Sequence, residues 1–281
     1  FGFSSVTSSI LNASSPVSSG LILHLDATNI DGSNNSTLPN NSSIGTWKDL
    51  SGNNYDLTQS TTSKKPKLIE SSLNGNTIVR FDGIKNSNGD YLRNSTELGL
   101  TNEYTVFVVS NKSSYGGSYR KMLSTGSSPS LGILLSEGTS SDKLYVYPNY
   151  QGDTNSYPGN FLTAGSTSYS GTKIFKIHRT TTESKFFINA NLISEKNHAA
   201  NNVTAATINS GSTTLGYAYG SEYWNGDIGE VLIFDTELSD SDSDKVTAYL
   251  SMKWGLGSTL DSDGDGFIDA EDDYPADASK V

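Results

Sequence analysis

Between residues 20 and 257 the chain alternates short runs of β-branched and aromatic residues with clusters of Gly, Asn, Ser and Asp, and no other feature restricts its fold as much. Short apolar runs closed at both ends by turn formers are the strands of an all-β sandwich. The predicted strands are Leu21 to Leu25, Ile78 to Phe81, Tyr104 to Ser110, Leu131 to Glu137, Lys143 to Tyr147, Lys173 to Arg179, Lys185 to Ile188, Ser212 to Gly216 and Asp227 to Phe234. Successive strand side chains point to opposite faces, so Val106 should side with Val108, and Val231 with Ile233. The period changes once. Ser239 precedes DSDSDKVTAYLSMKW, where acidic residues fill a first turn, Val246, Tyr249 and Leu250 share a face, and Gly255 stops the run, which predicts one helix.

A length of 281 residues gives one large domain of about 240 residues a sizeable core, with short tails. Residues 1 to 19 are serine-rich and read as a linker or arm. The chain has no cysteine, which excludes a disulfide framework and thiol chemistry, so stability must come from core burial, to which calcium could add. No segment approaches the roughly 18 apolar residues of a membrane span. A net charge of −11 argues against nucleic acid and anionic membrane surfaces as partners. Starting at Phe1 with no signal peptide, the sequence reads as an excerpt of a longer secreted or surface protein, whose neighbouring domains are then partners of this one.

The stretch DSDGDGFIDAEDDYP, Asp261 to Pro275, is the densest in charge. Asp261, Asp263, Asp265, Asp269 and Asp272 stand at positions 1, 3, 5, 9 and 12 of a calcium-loop register, with Gly266 at position 6 and the Phe267 carbonyl at position 7. Such a loop turns alternate carboxylates toward one hard cation, and this oxygen-rich set suits calcium (Ca2+) better than magnesium. An EF-hand is excluded because GLGSTL, just before the loop, is too short and glycine-rich for a helix. The spacing D-x-D-G-D-G-x-x-D-x-x-D-x-x-P resembles the thrombospondin type 3 repeat in a cysteine-free form. That resemblance implies a calcium-stiffened spacer over residues 258–281 and an extracellular setting.

A second resemblance spans residues 20–257. GLILHLDATN, WKDLSGNNYDL, NTIVRFDGIKNSNGDYL and YWNGDIGEVLIFDTELSDSDSDKVTAYLSMKWGL look like the laminin-G-like, concanavalin A-like domains of bacterial secreted proteins. It implies an antiparallel two-sheet jelly roll whose last strand leads into a short helix. Such sandwiches host lectins, adhesion domains, glycanases and lyases, so the site must decide function.

Catalytic constellations are not apparent. A glycanase needs two carboxylates flanking the scissile bond. The nearest pair, Asp227 and Glu230 in GDIGE, is offset by three and should fall on opposite faces of a strand. A lyase needs a positioned base. His178 in FKIHR faintly resembles the Q-I-H strand of alginate lyases, but the glutamine is replaced by Lys176 and the companion Y-F-K-x-G strand has no counterpart. His24 lies between Leu23 and Leu25, and His198 lies in a polar stretch. No G-x-S-x-G motif occurs.

Binding remains. Sugars are held by aromatic faces, with Asp, Asn and backbone amides fixing the hydroxyls. YVYPNYQGDTNSYPGNF, residues 145–161, offers Tyr147, Tyr150, Asp153 and Tyr157; YAYGSEYWNGD, residues 217–227, offers Tyr219, Tyr223, Trp224 and Asn225. Tyr115 and Tyr119 could form a glycine-flanked rim. Trp47 and Trp254 read as core, and Asp26, Asp49 and Asp82 as turn caps that could instead contribute to a second calcium site. The expectation is a non-catalytic extracellular domain that binds a glycan or another cell-surface ligand. Its alternatives are a spacer or protein-binding adhesin module and, third, a polysaccharide lyase or hydrolase.

Overall fold

In a computed structural model the protein is described over residues 15–84, 88–112, 120–127, 130–137, 144–147, 162–164, 170–199, 211–217 and 223–280. Two antiparallel sheets enclose one hydrophobic core. The first contains, in spatial order, β14 (Asn191–Asn197), β13 (Glu183–Ile188), β12 (Gly171–Arg179), β7 (Tyr104–Lys112), β16 (Asn225–Phe234), β5 (Asn76–Asp82) and β4 (Lys67–Leu73), and β1 (Leu21–Asp26) also pairs with β16. The second contains β11 (Leu162–Ala164), β10 (Leu144–Tyr147), β9 (Ser130–Glu137), β8 (Arg120–Ser127), β15 (Thr213–Leu215), β6 (Leu92–Asn94), β3 (Leu57–Thr58) and β2 (Thr46–Trp47). Every predicted strand is present to within two residues at either end. β2, β3, β4, β6, β8, β11 and β14 are additional; the longer three, β4, β8 and β14, read KLIESSL, RKMLSTGS and NLISEKN, with little of the apolar alternation that marks the predicted strands.

The centre of the first sheet is covered on both sides. Val231 and Ile233 pair with Val108 and Val106 of β7 and with Leu25 and Leu23 of β1, and this row faces the second sheet. Glu230 and Leu232 point the other way with Asp26 and His24, beneath the helix α1 (Asp240–Lys253). That helix begins where expected: Ser239 caps it by accepting from the Asp242 N–H at 3.1 Å, with Asp240 and Asp242 in its first turn. A bulge between Ile228 and Glu230 shifts the register of β16 against β7. Gly229 sits in it because Trp254 lies against it; a Cβ there would come within 2.8 Å of the indole.

Both ends of the described chain fold back onto the sandwich. Val17 is in the core, and beyond α1 so is Leu260. The backbone then closes on itself, Asp269 N–H donating to Leu260 O at 2.7 Å and Ala270 N–H to Gly257 O at 3.0 Å. No helix among the described residues is long and apolar enough to cross a membrane.

Candidate functional site

The acidic loop gathers some of its carboxylates and not others. Asp261, Asp263 and Asp265 each bring a carboxylate oxygen within 4.8 Å of the others. Their remaining capacity winds the backbone: Asp261 accepts from the Gly264 and Gly266 N–H groups at 2.7 and 3.0 Å, Asp263 from Asp265 at 3.3 Å, and Asp265 from Phe267 at 2.8 Å. One oxygen each of Asp263, Asp265 and Asp272 is buried without a hydrogen-bond partner. Unpaired buried carboxylate oxygens are costly, and a hard cation would satisfy them. Burial raises the Asp263 carboxyl, and the nearby charges of Asp265 and Asp272 add to the effect. Asp269 is turned elsewhere: its two oxygens accept from Ser262 N–H at 2.7 Å and Ser262 O–H at 2.8 Å. The Phe267 ring is exposed.

The aromatic clusters are only partly within the described residues. Tyr150, Asp153, Tyr157 and Tyr219 lie outside them, as do Tyr115 and Tyr119, and Tyr147 is described only as the last residue of β10. Tyr223 and Trp224 do not present a face to a ligand, since they are 4 % and 1 % exposed. The Lys112 ammonium lies 4.6 Å from the centre of the Trp224 ring. Asn225 is exposed at the start of β16.

Buried Tyr223 nonetheless supports an aromatic surface that sequence reasoning missed. Tyr217 stacks on it, with ring centres 4.8 Å apart and planes 21° apart, and Tyr91 stands 5.7 Å from Tyr217 and 6.4 Å from Tyr223. Tyr91 and Tyr217 are half-buried. Tyr91 also lines a cleft of about 450 Å³ with Thr46, Thr58, Gln59, Arg93 and Ser95. The arrangement follows from pairing of β6 with β15, which sets Leu92 opposite Leu215 and so brings Tyr91 and Tyr217 together. Gly89 makes room for it, as a Cβ there would come within 2.2 Å of the Tyr223 ring.

Beneath α1 lies a buried polar network. Glu230 Oε1 accepts from His24 Nε2 and from the Tyr249 hydroxyl, both at 2.8 Å, and Oε2 accepts from Trp254 Nε1 at 2.8 Å. The Lys253 ammonium is 2.9 Å from Glu230 Oε2 and 2.6 Å from Asp26 Oδ2. Every one of these groups is buried. Burial raises the Glu230 carboxyl, but Lys253 and His24 outweigh it and bring it down to about 2. His24, Asp26 and Glu230 converge closely enough to hold a metal, yet Lys253 already supplies their cation.

The other aspartates named from the sequence serve turns. Asp49 accepts from the N–H groups of His24, Ser51 and Tyr55, and Asp82 from those of Ile84 and Asp90. Trp47 and Trp254 are buried in the core, as expected. Asp227 and Glu230 correct an expectation. They pair with Asn111 and Val109, two residues apart on β7, so the bulge puts both on one face. Each is engaged separately, Asp227 by a bidentate contact with Arg80 at 2.7 and 2.9 Å. His198 is also anchored, its Nδ1 3.0 Å from Thr181 O and its Nε2 2.9 Å from Ser184 Oγ.

No family model and no curated protein matches the chain. Solved structures do. Domain 4 of an extracellular arabinanase from Geobacillus stearothermophilus, solved with arabinotriose, aligns with 82 % of this chain and 97 % of that one at a TM-score of 0.54 and 13 % identity. A botulinum neurotoxin type C structure, described by its dependence on two ganglioside molecules for cell entry, aligns over 83 % of this chain at a TM-score of 0.57 and 14 % identity. The binding domain of botulinum neurotoxin DC, solved with rat synaptotagmin II, aligns over 84 % at a TM-score of 0.56 and 12 % identity. This chain spans about half the length of the two toxin chains, 51 % and 52 %. At these identities the likeness establishes the fold alone: an antiparallel two-sheet β-sandwich.

Proposed function

We propose that this chain is a non-catalytic carbohydrate-binding domain of a larger extracellular protein, and that it holds its glycan on Tyr91 and Tyr217. The observation that carries the reading is the tyrosine stack beside the cleft. Half-exposed Tyr91, in ring contact with half-exposed Tyr217, lines the cleft with Arg93, Thr46, Thr58 and Ser95, which is the mixture of flat apolar surface and polar edge that sugar rings require. Domains of the same fold support it, one solved with arabinotriose and one tied to gangliosides.

The C-terminal loop takes calcium in this reading. Asp261, Asp263, Asp265 and Asp272 supply carboxylates and Phe267 its carbonyl, while Asp269 fastens the loop through Ser262. The bound ion stiffens the junction to the next domain, in keeping with a surface or secreted protein.

A glycan array that includes arabino-oligosaccharides and ganglioside headgroups tests the proposal, with follow-up titration of any hit. Tyr91→Ala and Tyr217→Ala should each weaken the hit about tenfold or more, near the upper range for an aromatic contact. A blank array in calcium and in chelator would sink the binding reading and favour a spacer or protein-binding adhesin module.

A further inference from the structure

A groove of about 700 Å³ lies on the side of the first sheet that carries α1, away from the tyrosine stack. Its floor holds Lys176 and His178, two residues apart on β12, and Lys185 and Phe187, opposite them on β13. Asp240 and Asp244, from the start of α1, form one wall, and residues 259–264 form another. Three potentially cationic side chains share this hollow with four aspartates, Asp240, Asp244, Asp261 and Asp263, in a chain of net charge −11.

The two floor residues on β12 are buried and short of partners. Lys176 is 8 % exposed, and its ammonium has one hydrogen bond among the described residues, to Ser243 Oγ at 2.8 Å. An ammonium has three N–H donors, so two make no hydrogen bond to any described residue. It also lies 4.0 Å from the centre of the Phe187 ring. His178 is 9 % exposed, and its Nε2 is 3.5 Å from Glu237 Oε1 without making a hydrogen bond. Burial lowers the Lys176 amine, the charges of Asp244 and Asp240 only partly offsetting it, as befits a cation with no carboxylate in contact among the described residues. Unfilled donors of this kind, buried and opening into a cavity, match an incoming anion.

We infer that this groove is a second binding site, distinct from the tyrosine stack, for the carboxylate of an acidic sugar. The carboxylate accepts from Lys176 and His178, with Lys185 at its rim. The sugar's hydroxyls donate to Asp240 and Asp244 across the groove. A neutral sugar leaves the buried donors unfilled, so the site discriminates by charge.

Amide NMR titration of the full chain with the methyl glycosides of glucuronate and galacturonate, and with their neutral parents, tests this. The expected result is a saturable shift of the amides of residues 174–178, 185–189 and 240–244 by a uronide, with the neutral parents at least tenfold weaker. Lys176→Met should abolish the shifts and Lys185→Gln weaken binding several-fold, both with the wild-type amide pattern retained, while Tyr91→Ala leaves them unchanged. If neither uronide shifts these amides, if a neutral parent binds as tightly, or if folded Lys176→Met still responds, the inference is overturned. The Tyr91→Ala and Tyr217→Ala array results stand apart from every one of these outcomes.

Discussion

Glu230 keeps its charge in a place without water because four donors converge on it. His24, Tyr249, Lys253 and Trp254 all reach its two oxygens, and Asp26 holds Lys253 from the other side. Such a network stabilises only when complete, since each member's desolvation is offset by the others. Glu230→Gln leaves Lys253 with a single carboxylate, and the expected loss is about 3–5 kcal/mol in urea unfolding. Lys253→Met added to it should recover part of that loss, because the buried cation is then gone. A loss below about 1 kcal/mol would show that the network contributes little to the fold. The sequence offered a signal here: His24 stands between Leu23 and Leu25, and Glu230 between Gly229 and Val231, each a polar residue with apolar neighbours inside a strand. It did not reveal the partner, because residues 24, 230 and 253 meet only through pairing of β1 with β16 and docking of the helix.

At the scale of elements, α1 was legible from its cap, its acidic first turn and the face shared by Val246, Tyr249 and Leu250, although its buried side also carries Ser243, Thr247, Ser251 and Lys253. Polar residues on a buried stripe are invisible to apolar periodicity, which is why the network beneath it went unread. β14 escaped for a related reason. It lies at the sheet edge with a mostly exposed or half-buried pattern, so its residues had no apolar face to repeat. The acidic loop was legible in spacing but not in division of labour: the register treats Asp269 like its neighbours, whereas the structure commits it to Ser262. Because Leu260 is in the sandwich core, ordering this loop should be felt by the domain. Calcium at about 100 times its dissociation constant should add about 2.7 kcal/mol, read as a higher melting temperature that chelator reverses. Asp265→Asn should cut the gain. Identical melting in calcium and chelator, with no binding heat by calorimetry, would remove calcium from the account.

For the molecule as a whole, the sandwich could be read from strand alternation, whereas the tyrosine surface could not, because it joins Tyr91 to Tyr217 across a strand pairing that leaves no local trace. The same corner governs how stability responds to pH. Asp90, beside Tyr91, is 6 % exposed, and its carboxylate accepts from the Asp82 N–H at 3.2 Å. Burial, reinforced by the charge of Asp82, raises its carboxyl to about 7 against an ordinary 3.8, and burial with Asp240 and Asp263 raises Asp244 to about 6. An acid whose folded value is raised favours the fold while it stays protonated. Its contribution is therefore complete below pH 3.8 and is lost as pH climbs through about 7. Glu230 works oppositely: its contribution is present above its ordinary 4.5 and disappears as pH falls through about 2. Stability should thus peak near pH 4 and decline until about pH 7, staying low at pH 8. Urea titrations in chelator, which keep metal binding out of the slope, should show Asp90→Asn flattening the decline and exceeding the wild type at pH 8 by roughly 1–3 kcal/mol, since the amide fills the same space and has no charge to desolvate. An unchanged slope, or a variant no more stable than wild type at pH 8, would mean that Asp90 ionises in the fold as readily as in the unfolded chain.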